Sequence, residues 1–477
     1  MDSLVKKRYM IKPISKLAFL LLCFIGANNV QAENSVEKII AESTELTILK
    51  QHLLQDPHNR DELKHFKNVE VTVLGENVEI YYDDDGFLSR QFKTRASRLS
   101  VAPQRVILDD KGRLISIAFT NLRFHNLDYF KQFKQLRMLT LRGRAMVKDG
   151  FYEVSDLPSL EELYLGGLKL KKISIGHNLS KLRVFSIGWN DVNEIVNLNR
   201  LSELVHLDLE QNPLTEVTGI EQLKKLQWVD LSDTKITQLP NLTSFEELTY
   251  LDVISSEISK LEGLDKLKKI TYLNVARTKA QLNIDKFPSS LEYLEMGVAK
   301  LTKMPDFSNL VNLKKLGLGN LGLKKIEGLG NLKNLEKLKL RSNPIKIIEG
   351  LDCLVNLKDL NLVKTNITKI EGLDKLINLE KLNLSETNIT KIEGLDNLKN
   401  LKQLDFSETK IRKLEGLNKL SNLEYAKFFN ADIAEVAPDA YDGLSKATVK
   451  LLRTPYYNNL KTTNKDLWRK LLKEKKL

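Results

Sequence analysis

Aromatic and acidic side chains recur together in five consecutive segments of this chain. The aromatic set is His206, Trp228, Tyr250, Tyr272 and Tyr293, spaced 21 or 22 residues apart. Two positions after each of them stands an acid or an amide, in the order Asp208, Asp230, Asp252, Asn274 and Glu295. Exposed rings of this kind bury large areas while losing little entropy, so they dominate the hot spots of binding surfaces. The pattern therefore predicts a partner-binding patch made of the five aromatic residues and the four carboxylates.

Catalytic chemistry has little support in the sequence. Three of the six histidines, His52, His58 and His65, have spacings that suit neither one helix face nor a metal motif. No nucleophile elbow, phosphate-binding loop or pair of metal ligands can be recognised. The Asp-rich turns at 83–86 and 109–112 lack the spacing of a calcium loop. We therefore predict a protein that is not an enzyme and that needs no cofactor and no metal.

The candidate patch is positioned by a repeat, which is clearest at 357–400. These residues read LKDLNLVKTNITKIEGLDKLIN and then LEKLNLSETNITKIEGLDNLKN, the same 22-residue unit twice in succession. In L-x-x-L-x-L the last two leucines share one face of a short strand, and the residues between them face the other way. The second apolar group, I-x-x-I-x-G-L-x-x-L, folds back behind the strand. One unit cannot bury both groups alone, so the units must stack into a solenoid.

This unit resembles the leucine-rich repeat, in the 22-residue class of bacterial internalins and of a eukaryotic phosphatase regulator. Fifteen units can be placed between Leu114 and Leu423, with an interval of 22 residues except for 24 after Leu136 and 21 after Ile270. The resemblance implies an α/β solenoid, a horseshoe with a parallel sheet on its concave face. The third and fifth positions of each unit, and hence the candidate patch, are expected on that face.

The ninth position of the unit varies along the chain. The family usually carries asparagine there, where the side chain hydrogen-bonds the loop backbone of adjacent turns. This chain has Asn190, Asn212 and Asn343 at that position, and serine or threonine in six other units. The units that depart from this pattern entirely, and are expected to pack less regularly, have Leu122, Arg144, Leu168, Ala299 and Leu321.

Residues 1–32 have the order of a secretory signal. Five basic residues precede an apolar run of 11 residues, and small residues follow at a cleavage site that ends in Ala32. The apolar run is too short to span a membrane. We therefore predict an extracytoplasmic protein, which is secreted, surface-bound or periplasmic after cleavage near Ala32. An alternative is a lipoprotein acylated at Cys23, although the neighbours of that cysteine fit the lipoprotein motif poorly.

The repeats need a polar cover at each end. Residues 33–113 combine a helical periodicity that ends at Pro57 with alternating, strand-like segments, and are predicted to be an N-terminal cap. A small independent domain is the alternative. Residues 114–444 hold the repeats. Residues 445–477 are predicted to be a C-terminal cap with an amphipathic helix from Asn464, for which binding to an anionic membrane is the alternative.

The composition fits an exported, soluble product. The chain has 74 basic and 62 acidic residues, and removal of the signal leaves 69 and 61, a net charge of +8. Much of the lysine falls on the outer turns, which predicts a solvated surface and no nucleic-acid site. Without the signal the chain keeps only Cys353, so no internal disulfide is expected. This cysteine is predicted to be a packed side chain beside the core leucines.

The leading hypothesis is an exported monomer, without stable membrane insertion, that binds a protein partner through its concave face. The resemblance to internalins implies a host or surface protein as the ligand. A basic block of Lys315, Lys337, Lys339 and Arg341 follows the aromatic patch and suits an extended partner with charges of both signs. Two alternatives stay open. One is a carbohydrate-binding surface protein, because aromatic faces and acidic acceptors also suit sugars. The other is a cell-envelope scaffold without a host partner.

Overall fold

The fold is seen in a computed structural model that describes residues 40, 42–55, 69–73, 104–122, 124, 127–143, 150–280, 287–297, 303–440, 447–463 and 469. The predicted signal with Cys23, and nearly all of the predicted helix from Asn464, lie outside these residues. The chain divides into two compact units, Met1–Lys235 and Ile236–Leu477. Each unit is a stack of short parallel strands.

The first unit begins with helix α1, Thr44–Gln55. Its strands are β1 (Val69–Val73), β2 (Gln104–Leu108), β3 (Leu114–Thr120), β4 (Met138–Arg142), β5 (Phe151–Val154), β6 (Glu162–Gly166), β7 (Lys172–Ile175), β8 (Val184–Ser186), β9 (Glu194–Val196), β10 (His206–Asp208) and β11 (Trp228–Asp230). Strands β1 and β2 are parallel, and β2 is antiparallel to β3. From β3 the main sheet continues in parallel through β4, β6, β8, β10 and β11. Strands β5, β7 and β9 form a second parallel sheet.

The second unit ends with helix α2, Pro455–Thr463. Its strands are β12 (Tyr250–Asp252), β13 (Tyr272–Asn274), β14 (Tyr293–Gly297), β15 (Lys315–Gly319), β16 (Lys337–Lys339), β17 (Asp359–Asn361), β18 (Lys381–Asn383), β19 (Gln403–Asp405), β20 (Lys413–Leu414), β21 (Tyr425–Lys427), β22 (Glu435–Val436) and β23 (Thr448–Lys450). The main sheet runs in parallel from β12 through β19 to β21 and β23. Strand β20 pairs with β22 in a separate two-stranded sheet.

The prediction of a parallel-sheet solenoid is confirmed. In the part of the chain that the structure describes, each of the fifteen predicted units contributes one strand to a main sheet. Strand β23 adds a further strand beyond the last predicted unit. The outer turns contain little helix, with short 3₁₀ segments at Asp128–Gln132, Leu198–Arg200, Ile220–Gln222, Leu242–Ser244 and Leu264–Lys266.

Burial in β18 shows how the repeat makes its core. Leu382 and Leu384 are buried, whereas Lys381, directly before them, is exposed. Behind the strand the chain returns through a turn at Gly394, whose φ is +67°. A side chain at this glycine would also overlap the carbonyl oxygen of Ile370 in the preceding repeat. Both constraints exclude other residues, which explains the glycine in I-x-x-I-x-G-L.

The predicted asparagine bonds at the ninth position are present. Asn343 is buried, and its side-chain oxygen accepts from the backbone N–H groups of Leu321 at 3.0 Å and Leu323 at 3.1 Å in the preceding repeat. Its amide nitrogen donates to the carbonyl of Leu318 at 2.7 Å. Threonine at this position forms its hydrogen bond within its own repeat, as the Thr365 hydroxyl donates to the carbonyl of Leu362 at 2.8 Å. Leu321 itself occupies a ninth position and is buried, so leucine there is compatible with regular stacking.

A second asparagine series crosses the repeats on the exposed side. These residues stand just before the first leucine of a unit, and each donates its side-chain amide to a carbonyl in the preceding repeat at 2.8–3.1 Å. The pairs are Asn312 with Ser289, Asn334 with Val311, Asn356 with Lys333, Asn378 with Val355, Asn400 with Ile377 and Asn422 with Lys399. The series binds successive turns together at the surface.

Helix α1 is attached to the turn between β2 and β3. Ser43 caps the helix by accepting from the Leu46 N–H at 3.1 Å, and its hydroxyl donates to the carbonyl of Gly112 at 2.6 Å. The carboxylate of Glu45 accepts from the N–H of Leu114 at 2.5 Å. These bonds join the helix to the start of the repeats, and the assignment of 33–113 as a cap stays a prediction.

Two further expectations concern the surface. The prediction that Cys353 is packed is wrong, because its side chain is exposed. In the segment L-D-C-L only Leu351 and Leu354 turn inward, and Cys353 points out from the turn between them. Among the described residues, no helix has the length and the apolar character needed to cross a membrane.

We expect Leu384→Ala to lower the free energy of unfolding by about 2–5 kcal/mol, because it opens a cavity in the continuous core. The control Lys381→Ala changes an exposed side chain three residues earlier, and should alter that free energy by less than about 0.5 kcal/mol. Denaturant melts of the two variants measure the difference. Equal losses would show that the assigned phase of the strand is incorrect.

Candidate functional site

In the first unit, strands β10 and β11 place four of the predicted site residues side by side. His206 is paired with Trp228, and Asp208 with Asp230, in the parallel register. The His206 and Trp228 rings are stacked, with centroids 3.8 Å apart and planes 7° apart. Both residues are half-buried. We call the surface formed by the third- and fifth-position side chains of each main sheet its sheet face.

Three carboxylates of the first unit lie together beside this pair. Oxygens of Asp208, Glu210 and Asp230 are all within 4.8 Å of one another, and in the described part of the chain this is the group that could hold a cation. Asp208 accepts from the hydroxyl of Ser186 at 2.9 Å. Asp230 accepts from the N–H of Ser232 at 2.9 Å and from its hydroxyl. The cluster is supplied with donors by the protein itself, so the acids alone do not define a metal centre.

Arg142 contributes a compensating charge to this cluster. Burial lowers the pKa of its guanidinium, and the negative charge of Asp208 opposes that shift. The side chain lies next to Gly166, where a Cβ would come within 3.7 Å of the Arg142 Cγ.

In the second unit, strands β12, β13 and β14 align three tyrosines. Tyr250 is paired with Tyr272, and Tyr272 with Tyr293. Their ring centroids are 4.0 Å and 4.2 Å apart, and the planes differ by 13° and 12°. All three are half-buried. Because the Tyr272 ring is covered on both faces, the tyrosine stack presents ring edges to solvent.

The hydroxyls of the tyrosine stack are held by the acids of the fifth position. One oxygen of Asp252 accepts from the Tyr250 hydroxyl at 3.2 Å, from the Tyr272 hydroxyl at 3.3 Å and from the Asn274 amide at 3.2 Å. The Tyr293 hydroxyl donates to Glu295 at 3.1 Å. Burial raises the pKa of the Tyr293 phenol well above its usual value, and Tyr272 and Glu295 add to that shift. The hydroxyls of the stack are thus held in position, and the raised pKa keeps the Tyr293 phenol protonated.

The expectation that the fifth-position acids face solvent is wrong for two of them. Asp230 is 0% exposed and Asp252 is 5% exposed, whereas Asp208 and Glu295 are half-buried. Asp230 accepts from Ser232 in its own turn, and Asp252 accepts from the Tyr250 and Tyr272 hydroxyls. Asp252 therefore supports the tyrosine rings through their hydroxyls, and Asp230 is buried in its own repeat.

The structure also shows a feature that the sequence analysis overlooked. Beyond Tyr293 the sheet face has a depression of about 220 Å³, lined by Tyr293, Glu295, Lys315, Leu316, Lys337 and Lys339. The three lysines belong to the basic block recognised from the sequence. The signal for a depression was Gly317, which stands at a fifth position where the flanking units have Glu295 and Lys339.

Comparisons with known proteins agree with this architecture. Residues 355–397 and 377–419 match the family described as Leucine Rich repeats (2 copies). No curated protein matches the sequence. Among solved structures, a leucine-rich repeat protein of Leptospira interrogans is 22% identical with a TM-score of 0.59, covering 71% of this chain and 90% of that chain. The functional domain of InlJ from Listeria monocytogenes is 19% identical with a TM-score of 0.52, covering 67% and 68%.

A plant structure is similar to the same degree. The ectodomain of the membrane receptor kinase GASSHO1/SCHENGEN3 from Arabidopsis thaliana, in complex with Casparian strip integrity factor 2, is 19% identical with a TM-score of 0.51. The match covers 78% of this chain and 54% of that chain. At such identities the similarity establishes the fold alone. Residues 355–419 are thus matched as leucine-rich repeats, and the described part of the chain has the fold of a leucine-rich repeat solenoid.

Proposed function

We propose that this chain is an exported protein that binds a protein partner through its sheet faces. The observation that carries the proposal is the tyrosine stack of the second unit. Three half-buried rings, fixed by one another and by Asp252 and Glu295, form a rigid amphipathic surface. Rings that are already ordered lose little entropy on binding, which is the property of a hot spot. The His206–Trp228 pair offers a similar surface in the first unit.

The stacking favours a protein over a sugar as the partner. A sugar packs its apolar C–H groups flat against an exposed aromatic face, whereas the faces of Tyr272 are covered by Tyr250 and Tyr293. Ring edges are left for side chains and backbone groups of a protein. Leucine-rich repeat folds commonly mediate protein–protein interaction, and the plant receptor ectodomain was solved in complex with Casparian strip integrity factor 2. The partner class is therefore taken from the geometry together with the fold.

The alanine variants Trp228→Ala, Tyr250→Ala and Tyr272→Ala should each weaken partner binding by about 2 kcal/mol or more, which is roughly thirtyfold in Kd. The reason is that each removes a pre-ordered ring and leaves the core leucines in place. The measurement begins with capture on the immobilised protein from a mixture of surface and extracellular proteins. It continues with Kd values for the purified partner.

The matched control is Lys391→Ala, which changes an exposed residue on an outer turn. This variant should bind the partner as the unaltered protein does. Loss of binding in Lys391→Ala together with retention in the tyrosine variants would place the partner on the outer turns. A glycan array run in parallel decides the carbohydrate alternative, which gains if glycans bind and no protein is captured.

Asp252→Ala should lower the free energy of unfolding by about 2–3 kcal/mol, because it leaves two tyrosine hydroxyls and the Asn274 amide without their shared acceptor. Asp405→Ala is the matched control at the same position of another repeat. Asp405 is half-buried. Its carboxylate accepts hydrogen bonds from Ser407 in its own turn and forms an ion pair with Lys427 at 3.7 Å. Its removal should cost about 1 kcal/mol. Equal losses in thermal or denaturant melts would contradict the supporting role given to Asp252.

Export is the part of the proposal that rests on residues 1–32. The order of basic, apolar and small residues there predicts cleavage after Ala32. N-terminal sequencing of material recovered outside the cytoplasm should therefore start at Glu33. A mature chain that starts at an acylated Cys23 would replace this prediction with a lipoprotein, and full-length material confined to the cytoplasm would contradict export.

A further inference from the structure

The sheet face of the second unit changes character where β14 meets β15. In the parallel register Lys315 follows Tyr293 at the third position, and Gly317 follows Glu295 at the fifth. One strand further, Lys337 and Lys339 occupy these positions. A series of rings and acids is thus followed by a series of lysines, and Gly317 contributes no side chain at the boundary between them. We call the depression at this point the glycine gap; its lining residues are those given above.

Gly317 leaves space on the sheet face because it has no side chain. Its φ is outside the left-handed region, so the backbone there would accept other residues. A methyl group at this position, however, would overlap the carboxylate of Glu295, which leans over the glycine. The Nζ of Lys339 reaches across the same space to Glu295 Oε2 at 2.9 Å, which spans two repeats. With glycine at this position Glu295 can lean into the space and meet Lys339, whereas a side chain there would require the Glu295 carboxylate to move.

The charges around the glycine gap do not cancel. Lys315, Lys337, Lys339 and Arg341 are four positive groups, and Glu295 and Asp359 are two negative groups, which leaves a net charge of +2. Lys339 is paired with Glu295, and Lys337 with Asp359. Lys315 is exposed, and no acidic oxygen of the described residues lies within 4 Å of its Nζ. The gap therefore has an excess of cationic donors with an exposed lysine at its wall.

The size and the walls of the gap limit what can enter it. Its volume of about 220 Å³ corresponds to roughly seven water molecules, and is smaller than the 300 Å³ or more of typical small-molecule pockets. The buried side chain of Leu316 forms part of the lining, and Tyr293 provides another apolar wall. A single side chain with methylene groups and an anionic end matches these dimensions, whereas a cofactor does not.

We propose that the glycine gap binds the carboxylate of an acidic side chain of the protein partner. Lys315 and Lys339 hold the carboxylate, and Lys337 lies at the rim. Glu295 acts as an internal competitor, because it occupies Lys339 when no ligand is present. This inference rests on the proposed function and adds the chemistry of the partner, which must present a glutamate or aspartate next to the surface that covers the tyrosine stack.

The test uses the full chain and a defined probe, a hexaglutamate peptide labelled with fluorescein, whose binding is followed by fluorescence anisotropy at fixed ionic strength. Lys315→Glu should weaken binding at least about tenfold, because it replaces the available cation with a repelling charge. Gly317→Gln leaves the charge unchanged and fills the gap, and should weaken binding to a similar extent. Glu295→Gln keeps the shape of the side chain and removes the competitor, so binding should become stronger by about threefold or more.

Lys381→Glu is the matched control. It makes the same change of charge at an exposed third position of the same sheet face, three repeats along the chain. Its Kd for hexaglutamate should stay within about twofold of the unaltered protein. Circular dichroism melts confirm that each variant is folded. If Gly317→Gln does not fold, Lys315→Glu and Glu295→Gln, which change residues of the sheet face outside the leucine core, decide the question.

Several results would overturn the proposal. Hexaglutamate that fails to bind, or equal weakening by Lys381→Glu and Lys315→Glu, would show that no specific anion site exists. An unchanged Kd in Glu295→Gln would contradict the role of Glu295 as an internal competitor. A heparin-derived hexasaccharide that binds more tightly than hexaglutamate, and responds to the same variants, would reassign the gap to sulfated glycans.

Failure of this inference can be told apart from failure of the proposed function. A captured protein whose binding is lost in Tyr272→Ala but unchanged in Lys315→Glu would keep the proposed function and overturn the role of the gap. Binding that is insensitive to both variants would overturn both. Binding that is weakened by both, with hexaglutamate competing against the partner, is the result expected here.

Discussion

One spacing governs most interactions in this protein. Neighbouring parallel strands are about 4.8 Å apart, and a 22-residue period places equal positions of successive repeats at that separation. Each side chain on the sheet face therefore meets the residue of its own position in the next repeat. Rings that are repeated in this way stack, as Tyr250, Tyr272 and Tyr293 do at 4.0 Å and 4.2 Å. Repeated asparagines form hydrogen bonds across turns. Repeated like charges repel one another, and this repulsion must be offset by nearby donors or opposite charges.

The carboxylates show how such repulsion is offset. Asp230 and Asp252 are buried in successive repeats of the two units, and each collects donors from its own turn or from neighbouring side chains. Asp252 in particular gathers two phenols and an amide onto one oxygen. A buried charge is tolerated only when its hydrogen-bonding capacity is used in this way. The acids consequently support the aromatic surface, and the rings are what a partner can reach.

A constant core allows the sheet face to vary one residue at a time. Leu316 and Leu318 keep the core of their repeat intact, while Gly317 between them removes a single outward side chain. The result is a cavity on a surface that would otherwise be a continuous series of side chains. Lysines from the following strand then approach Glu295 across it. In a solenoid, a local binding site can thus arise without any change in backbone path, because each outward position is independent of the leucines beneath it.

The sequence by itself determined the features that depend on local periodicity. The phase of Leu382 and Leu384 follows from the spacing within one unit. The asparagine bonds at the ninth position are those that the resemblance to the leucine-rich repeat implied. The candidate aromatic residues were likewise visible, since a strand fixes which positions point outward. The exposed asparagine series had a readable signal as well, in the asparagine that recurs before the first leucine of six units.

The tertiary structure decided what depends on the neighbouring repeats. Asp252 is buried where the hydroxyls of Tyr250 and Tyr272 converge on it, and the exposure of Cys353 results from the direction of an outer turn. The glycine gap requires Glu295 and Lys339 to meet across a repeat that contributes no side chain. The physical reason is one of range: the period of a sequence fixes which way a side chain points, but its burial and its partners are set by the volumes and charges that stacking places 5–10 Å away, about one or two strand spacings.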